Sequence, residues 1–171
     1  MKNKILILVL IISFFNCKAP KIKPQSLTLG YFKTYIENLQ NNNVLSNNPL
    51  LIYNENIIGS LDEVDFSTID FQLFNVNDLE YLQRNSNFYE FLFGKEARNG
   101  VVIIKNSNTV YLHCGGRVKK YLVLDGNRID YPNFDNFNWD NLTRWSNLHD
   151  IRNKNGDFIE LTIFESKNNS Y

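Results

Sequence analysis

The two histidines of this chain each stand beside a side chain with which they could do chemistry. His113 precedes Cys114, and together they could act as a nucleophile with its base or as a pair of metal ligands. His149 precedes Asp150, and together they could supply half of a hydrolytic triad. Neighbouring residues in a strand point to opposite faces, so the first pattern favours a buried structural thiol. No Gly-x-Ser-x-Gly elbow accompanies His149, which is interpreted as a residue at a helix end.

The acidic group Asp62, Glu63 and Asp65 is the remaining candidate for ion binding. It lacks the spacing of a calcium loop, and negative charge at a helix N-terminus explains it. We therefore predict no catalytic residue, no metal site and no cofactor. A hydrolase that uses Cys114 with a histidine is the alternative.

The composition indicates one globular domain of ordinary size. Of the 171 residues, 43% are hydrophobic, and 18 basic side chains balance 18 acidic ones. Phosphate binding would require a net basic face, and no run of Lys or Arg follows the N-terminal segment. Nucleic acid is therefore not an expected partner.

The N-terminus has the pattern of a targeting signal. Lys2 and Lys4 precede an apolar run from Ile5 to Phe15, and these 11 residues are too few to span a bilayer, which takes about 20. The segment resembles a bacterial lipoprotein signal, in which Cys17 would become the lipidated first residue of the mature chain. Asn16 stands where that motif prefers a small residue, and a plain cleaved signal is the alternative. We assign 1–16 to the signal and 17–26 to the lipidated cysteine and a tether.

Hydrophobic periodicity predicts the elements that follow. They are a helix over 27–40, a hairpin over 49–59 that turns at 54–56, a short helical turn or loop over 62–66, a half-buried strand over 67–74, a helix capped by Asn77-Asp78 that runs through Phe93 and stops at Gly94, and a buried strand over 101–104.

Residues 49–105 carry a family resemblance. An acidic segment at 61–70 is followed by a helix ending in Phe93-Gly94 and then by Asn99-Gly100-Val101-Val102 before a β-branched strand. This order resembles the TonB-dependent receptor plug domain, although Asn54-Glu55 stands where that family has Asp-Gly. The resemblance implies a plug-like fold whose markers are Phe93, Gly94, Asn99, Gly100, Val101 and Val102. The 155 residues from Cys17 onward are too few for an outer-membrane barrel, so the resemblance implies binding or docking.

The C-terminal part is predicted to complete the domain. The pattern indicates strands over 109–114 and 118–124, a turn at Asp125-Gly126 with a return over 127–131, a short helix within 134–148, a turn at Asn155-Gly156, a strand over 158–164 and a frayed tail over 167–171. The order of elements in 118–165 echoes that of 49–105. A weak internal repeat explains the echo, and two chance orderings explain it equally well.

Exposed polar and aromatic residues are the candidates for docking. Glu96 and Arg98 are expected to be exposed on the loop before Val101. An aromatic set could form a binding face, with core packing as the favoured alternative; its members are Tyr131, Phe134, Phe137, Trp139 and Trp145. Exposure of both Trp139 and Trp145 on one face would favour binding.

These observations predict a single small α+β domain over 27–166, with a mixed sheet, two or three helices and a plug-like fold. The predicted function is docking onto an envelope protein by a module that is lipid-anchored to the outer membrane of a Gram-negative bacterium, on its periplasmic or surface side. A purely structural envelope lipoprotein is a further alternative to the hydrolase.

Overall fold

The computed structural model describes residues 25–105, 118–130 and 139–167. Within them it shows a small domain with two α-helices and two four-stranded mixed sheets, compatible with the predicted α+β class. One mixed sheet was expected from the sequence and two are found.

The first sheet is built from four short strands of mostly apolar residues. The strands are β1 (Leu50–Tyr53), β2 (Asn56–Ser60), β3 (Leu79–Leu82) and β4 (Val101–Ile104), in the order β2-β1-β4-β3. β1 runs parallel to β4, and the other neighbours are antiparallel. β4 is fully buried on both faces, as the continuous run of β-branched residues predicts for a central strand.

The second sheet repeats this arrangement. Its strands are β5 (Lys119–Leu124), β6 (Asn127–Ile129), β7 (Leu142–Arg152) and β8 (Phe158–Ser166), in the order β6-β5-β8-β7. Again one pair, β5 with β8, is parallel and its neighbours are antiparallel. The predicted turns at Asp125-Gly126 and Asn155-Gly156 and the last predicted strand are confirmed.

The two sheets share one core between their facing sides. Alternate residues of β1 and β4 meet alternate residues of β5, β7 and β8, together with the buried side of the second helix, α2 (Asn87–Phe93). The central members of this core are Ile52, Val101, Ile103, Val123, Leu161 and Ile163. Because each strand contributes every second residue, its remaining residues face outward.

The outer face of the first sheet is covered by α1 (Leu29–Asn41). Phe32 and Ile36 of α1 pack with Leu51, Val102 and Ile104 of the sheet. The Thr28 hydroxyl caps α1 by accepting a hydrogen bond from the Tyr31 N–H at 3.1 Å. The predicted helix over 27–40 is confirmed with its ends moved by one or two residues.

The predicted strand over 67–74 is wrong. This segment forms two single-turn 3-10 helices, Phe66–Thr68 and Phe71–Leu73. Asp65 accepts a hydrogen bond from the Ser67 N–H and Asp70 accepts one from the Gln72 N–H. These local bonds to aspartate give the backbone an alternative to a sheet ladder, so the alternation of apolar residues does not produce a strand.

The predicted long helix from Asn77-Asp78 to Phe93 is also wrong. Its first part is the 3-10 turn Val76–Asp78 followed by β3, and α2 begins only after Ser86, whose hydroxyl accepts from the Tyr89 N–H at 3.0 Å. Asn85 has a φ of 63°, which breaks a continuous helix between β3 and α2. Gly94 ends α2 as predicted.

The predicted helix within 134–148 is wrong over the residues that the structure describes. Trp139–Asn141 is a 3-10 turn, and Leu142 already belongs to β7. Exposed Trp145 and Asn147 alternate with buried Ser146 and Leu148, which is the period of a strand. The strand predicted over 109–114 lies outside the described residues, whereas the strand predicted over 118–124 is confirmed as β5.

An arginine joins the two sheets at one edge. Arg144 of β7 donates to Glu165 Oε1 at 2.7 Å, to Glu80 Oε2 at 2.6 Å and to the Tyr81 carbonyl at 3.0 Å. Its guanidinium also lies 3.8 Å from the centre of the Tyr81 ring. Burial opposes the charge of Arg144, but Glu165, Tyr81 and Glu80 together raise its pKa above the usual value.

Candidate binding surface

Four of the six predicted fold markers, Phe93, Gly100, Val101 and Val102, are buried parts of the scaffold, and Gly94 and Asn99 are partly buried. Phe93 is in the shared core, and Val101 and Val102 of β4 face opposite sides of the first sheet. Gly100 has a φ of 91°, and a Cβ there would clash with Leu45. A side chain at this position would therefore have to displace the core, which accounts for the glycine by structure alone.

The segment between Gly94 and Gly100 is a 3-10 helix, Lys95–Asn99, whose charged side chains point to solvent. Ala97 is buried, and it holds the turn against the core while Glu96 and Arg98 remain exposed as predicted. The Arg98 carbonyl accepts from the Asn85 N–H at 2.9 Å. The backbone is thereby fixed, and the two charged side chains are presented on a rigid support.

A groove of about 450 Å³ lies beside this turn. It is lined by Asn87, Glu90, Phe91, Gly94, Lys95 and Lys154. The Lys154 N–H donates to the Leu92 carbonyl at 2.8 Å, which attaches the loop between β7 and β8 to the end of α2. Phe91 is 64% exposed, which is unusual for a ring of this size.

Phe91 is the first ring of an aromatic row that crosses from α2 to the second sheet. Its ring is 6.4 Å from that of Phe88, which lies 5.3 Å from that of Tyr121 in β5. Cations stand at both ends, with Lys154 Nζ 5.8 Å from the Phe91 ring and the Arg128 guanidinium 5.5 Å from the Tyr121 ring. Hereafter the aromatic row means Phe91, Phe88 and Tyr121 with these two terminal cations.

The cations of this surface have weak or no internal partners. Arg128 lies 3.6 Å from Asp130, in a pair whose side chains are both mostly exposed. For Lys95 and Lys154, no ion pair to a carboxylate is found within the described part of the chain. Glu90, on the wall of the groove, is the one carboxylate among the residues that line it. The surface can therefore accept negative charge from outside.

The other predicted docking residues lie elsewhere. Trp145 of β7 is 64% exposed and faces outward from the second sheet, on the side away from the shared core. Trp139 begins the 3-10 turn before β7. Trp145 therefore stands on a different surface from Glu96 and Arg98.

The interpretation of His149 as a helix-end residue is wrong, because His149 and Asp150 both belong to β7. His149 Nδ1 is 3.8 Å from Glu160 Oε2, and Asp150 Oδ2 is 3.9 Å from Lys105 Nζ. The two side chains therefore contact different partners. Burial lowers the pKa of Lys105, against the opposing influence of Asp150, Glu55 and Glu160.

The acidic group at 62–65 serves local structure. Asp62 accepts from the Asn48 side-chain amide at 2.6 Å, and Asp65 caps a 3-10 turn, where its hydrogen bonds to Ser67 lower its pKa. Across the described ranges, no three His, Cys, Asp or Glu side chains are placed to hold a metal ion.

The sequence interpretation missed the aromatic row and Lys154. Tyr89, Leu92 and Phe93 form the buried face of α2, and Phe88 and Phe91 form a second apolar stripe three residues apart. The sequence shows this second stripe, because a helix with one buried face does not need aromatic residues on its other faces. No local pattern could have placed Lys154 beside Phe91, since a tertiary contact brings them together.

Cys17, His113, Cys114, Tyr131, Phe134 and Phe137 lie outside the described residues. No helix in the described ranges combines the length and the apolar character needed to cross a membrane. Comparisons with protein-family models, with curated proteins and with solved structures find no match to this chain.

Proposed function

We propose that this chain is a lipid-anchored cell-envelope protein whose folded domain docks onto an envelope protein partner. The observation that carries the proposal is the surface at the end of α2, where Phe91 is 64% exposed beside Lys95 and Lys154. Large exposed aromatic residues next to a groove are typical of contact residues, because they bury much area on binding at a low entropic cost.

The rigid support of this surface favours recognition of a partner. The exposed turn Lys95–Asn99 is held by bonds from Asn85 and Ser46 to its carbonyls and by buried Ala97. A contact surface that is ordered before binding loses less conformational entropy when the partner arrives. Glu96 and Arg98, the charged residues of this turn, lie where they could form the polar rim of such a contact.

The resemblance to the TonB-dependent receptor plug domain belongs to the same proposal. What supports it is the order of a hairpin, β3, a short helix, an Asn-Gly step and the central strand β4 within residues 49–105. The lipid anchor rests on the residues before and at Cys17. With an anchor, the domain would be confined to a membrane surface, which raises its effective concentration near membrane partners.

Site-specific photo-crosslinking in the native cell tests the docking proposal. We expect a photoreactive residue at position 91 or 96 to give a discrete adduct with one envelope protein. The same residue at Leu73, which is 62% exposed but lies outside the groove, should not give it. Identical adducts from all three positions, or none from 91 and 96, would refute docking through this surface.

The anchor is tested separately. We expect Cys17→Ala to abolish incorporation of radiolabelled palmitate and to release the protein from the membrane fraction. Unchanged labelling and fractionation would refute the anchor. Cys114→Ser changes the other cysteine and is the matched control, which should keep the labelling. It should also keep the crosslinked adduct at position 91, because docking does not use this thiol.

A further inference from the structure

We propose that the aromatic row binds an extended, acidic segment of a partner protein in which a run of apolar side chains has carboxylates at both ends. This inference deepens the proposed docking function and rests on it. Three features of the row indicate the chemistry of the partner: the order of rings and cations, the tilt of the rings and the charges around them.

The order of groups along the row is cation, three rings, cation. Lys154 stands at the Phe91 end and Arg128 at the Tyr121 end, and the three rings contact one another in sequence between them. A partner that matches this order has apolar side chains over the rings and negative charge at both ends. Lys95, which lines the groove at the Phe91 end, adds a second cation there.

The tilt of the rings favours side chains over a flat ligand. Phe91 and Phe88 are nearly parallel, with an interplanar angle of 19°, but Phe88 meets Tyr121 at 70°. A sugar ring or a base stacks best on an exposed flat face, and this row presents a stepped surface. Aliphatic side chains fit a stepped surface, because dispersion contacts do not require parallel planes.

The cations at the two ends of the row can bind carboxylates of a partner with little loss of existing ion-pair energy. The Arg128 pair with Asp130 is mostly exposed, and such pairs contribute about 0–1 kcal/mol, so an incoming carboxylate can replace Asp130. Glu90 on the wall of the groove repels a carboxylate, which directs negative charge toward Lys95 and Lys154. An anionic membrane would satisfy the cations, but Phe88 and Tyr121 are half-buried and do not protrude as insertion into a bilayer requires.

The test measures peptide binding to the full-length protein in detergent micelles by fluorescence anisotropy. The probes are three labelled peptides: a run of Leu flanked by Glu (the Glu-Leu peptide), a run of Ser flanked by Glu (the Glu-Ser peptide) and a run of Leu flanked by Lys (the Lys-Leu peptide). We expect saturable binding of the Glu-Leu peptide, at least roughly tenfold weaker binding of the Glu-Ser peptide and no binding of the Lys-Leu peptide. Equal binding of the Glu-Leu and Lys-Leu peptides, or no binding of the Glu-Leu peptide, would overturn the proposal.

Variants locate the binding on the row. We expect Phe91→Ser and Lys154→Glu each to weaken binding of the Glu-Leu peptide by roughly tenfold or more. Lys33→Glu in α1 and Trp145→Ser in β7 change exposed residues that are not members of the row and should leave binding unchanged. Phe91 and Lys154 are exposed, so thermal unfolding should show that these variants fold. Equal weakening by all four variants would overturn the assignment.

Two outcomes separate the partner class from docking itself. If the crosslink from position 91 persists but the Glu-Leu peptide does not bind, the acidic segment is wrong and docking stands. If cosedimentation with phosphatidylglycerol vesicles falls in Lys154→Glu and the peptide does not bind, the row contacts an anionic membrane, and the proposed peptide partner is refuted.

Discussion

The two sheets of this protein have the same strand order, and their outer faces differ. We call the residues of the first sheet and its connections, 50–104, the first half, and those of the second sheet, 119–166, the second half. In each half a hairpin contributes the strand that pairs in parallel with the last strand of that half. The Asn54 N–H donates to the Ile104 carbonyl at 3.0 Å in the first half, and the Asp125 N–H donates to the Phe164 carbonyl at 2.9 Å in the second. These bonds align the halves residue by residue.

Aligned positions have different environments on the outer faces. Leu79 pairs with Ile104 and is 7% exposed, whereas Trp145 pairs with Phe164 and is 64% exposed. The first sheet has α1 on its outer face, and within the described ranges no α-helix covers the corresponding face of the second sheet. Strand pairing therefore sets which side chains share a face, and the covering segments decide which face stays exposed.

Each hairpin turn also contacts the other half. The Glu55 carbonyl accepts from the Arg152 N–H at 2.9 Å, and the Ser86 hydroxyl donates to the Gly126 carbonyl. The two turns therefore make reciprocal contacts, while a weak internal repeat over residues 118–165 and two chance orderings both stay open as explanations. Common descent of the halves stays a prediction, because their helices differ.

The largest expected effect on stability is at the junction between the two sheets, which is formed by Arg144, Glu165, Glu80 and Tyr81. We predict that Arg144→Met lowers the free energy of unfolding by about 3–5 kcal/mol, because Glu80 and Glu165 would be left without their buried cation. Lys120→Met removes a pair with Glu160 whose lysine is mostly exposed and should cost no more than about 1 kcal/mol. Urea unfolding of both variants measures the contrast, and equal losses would contradict a structural role for the junction.

The aligned pair Leu79 and Trp145 tests the difference between the outer faces. Leu79→Ala removes a buried side chain from the core under α1 and should cost about 2–4 kcal/mol. Trp145→Ala should change the free energy of unfolding by no more than about 0.5 kcal/mol, because most of that ring is in solvent. A loss at Trp145 as large as that at Leu79 would show that the outer face of the second sheet is covered.

The hairpin turns give a smaller contrast. Gly126→Ala should cost about 2 kcal/mol, because φ is 75° and the new Cβ would lie 3.1 Å from Ser86 Cβ. Glu55 occupies the aligned position with a φ of 76°. Glu55→Gly should change the free energy of unfolding by no more than about 1 kcal/mol. Glycine removes the strain of a positive φ, and this gain is offset by the loss of a carboxylate near Lys105. Thermal unfolding measures both, and a harmless Gly126→Ala would refute the close contact between halves.

The sequence predicts the halves unevenly for physical reasons. The hairpins, α1, β4 and β8 follow from local patterns, because their turn residues and periodicity agree with the tertiary contacts. Residues 67–74 alternate like a strand, but hydrogen bonds to Asp65 and Asp70 hold them in 3-10 turns. Of the candidate site, the exposed turn with Glu96 and Arg98 was predictable. The aromatic row was not, because Tyr121 and Lys154 reach α2 only through the packing of the second half on the first.

The last prediction concerns the pH dependence of stability at Tyr81, which contributes nothing at neutral pH and appears only in alkali. The Tyr81 hydroxyl donates to Glu165 Oε2 at 3.1 Å across the junction. Burial raises the pKa of Tyr81 from 10 to about 12, against the opposing charge of Arg144. Between these values the unfolded chain has lost a proton that the folded protein keeps, so the free energy of unfolding falls as pH rises from 10 to about 12. Burial also raises the pKa of Tyr35, which acts in the same direction. We therefore predict that Tyr81→Phe makes this fall shallower without abolishing it, as measured by urea unfolding across that range. An identical slope in the variant would show that the hydroxyl is not held in the junction between the two sheets.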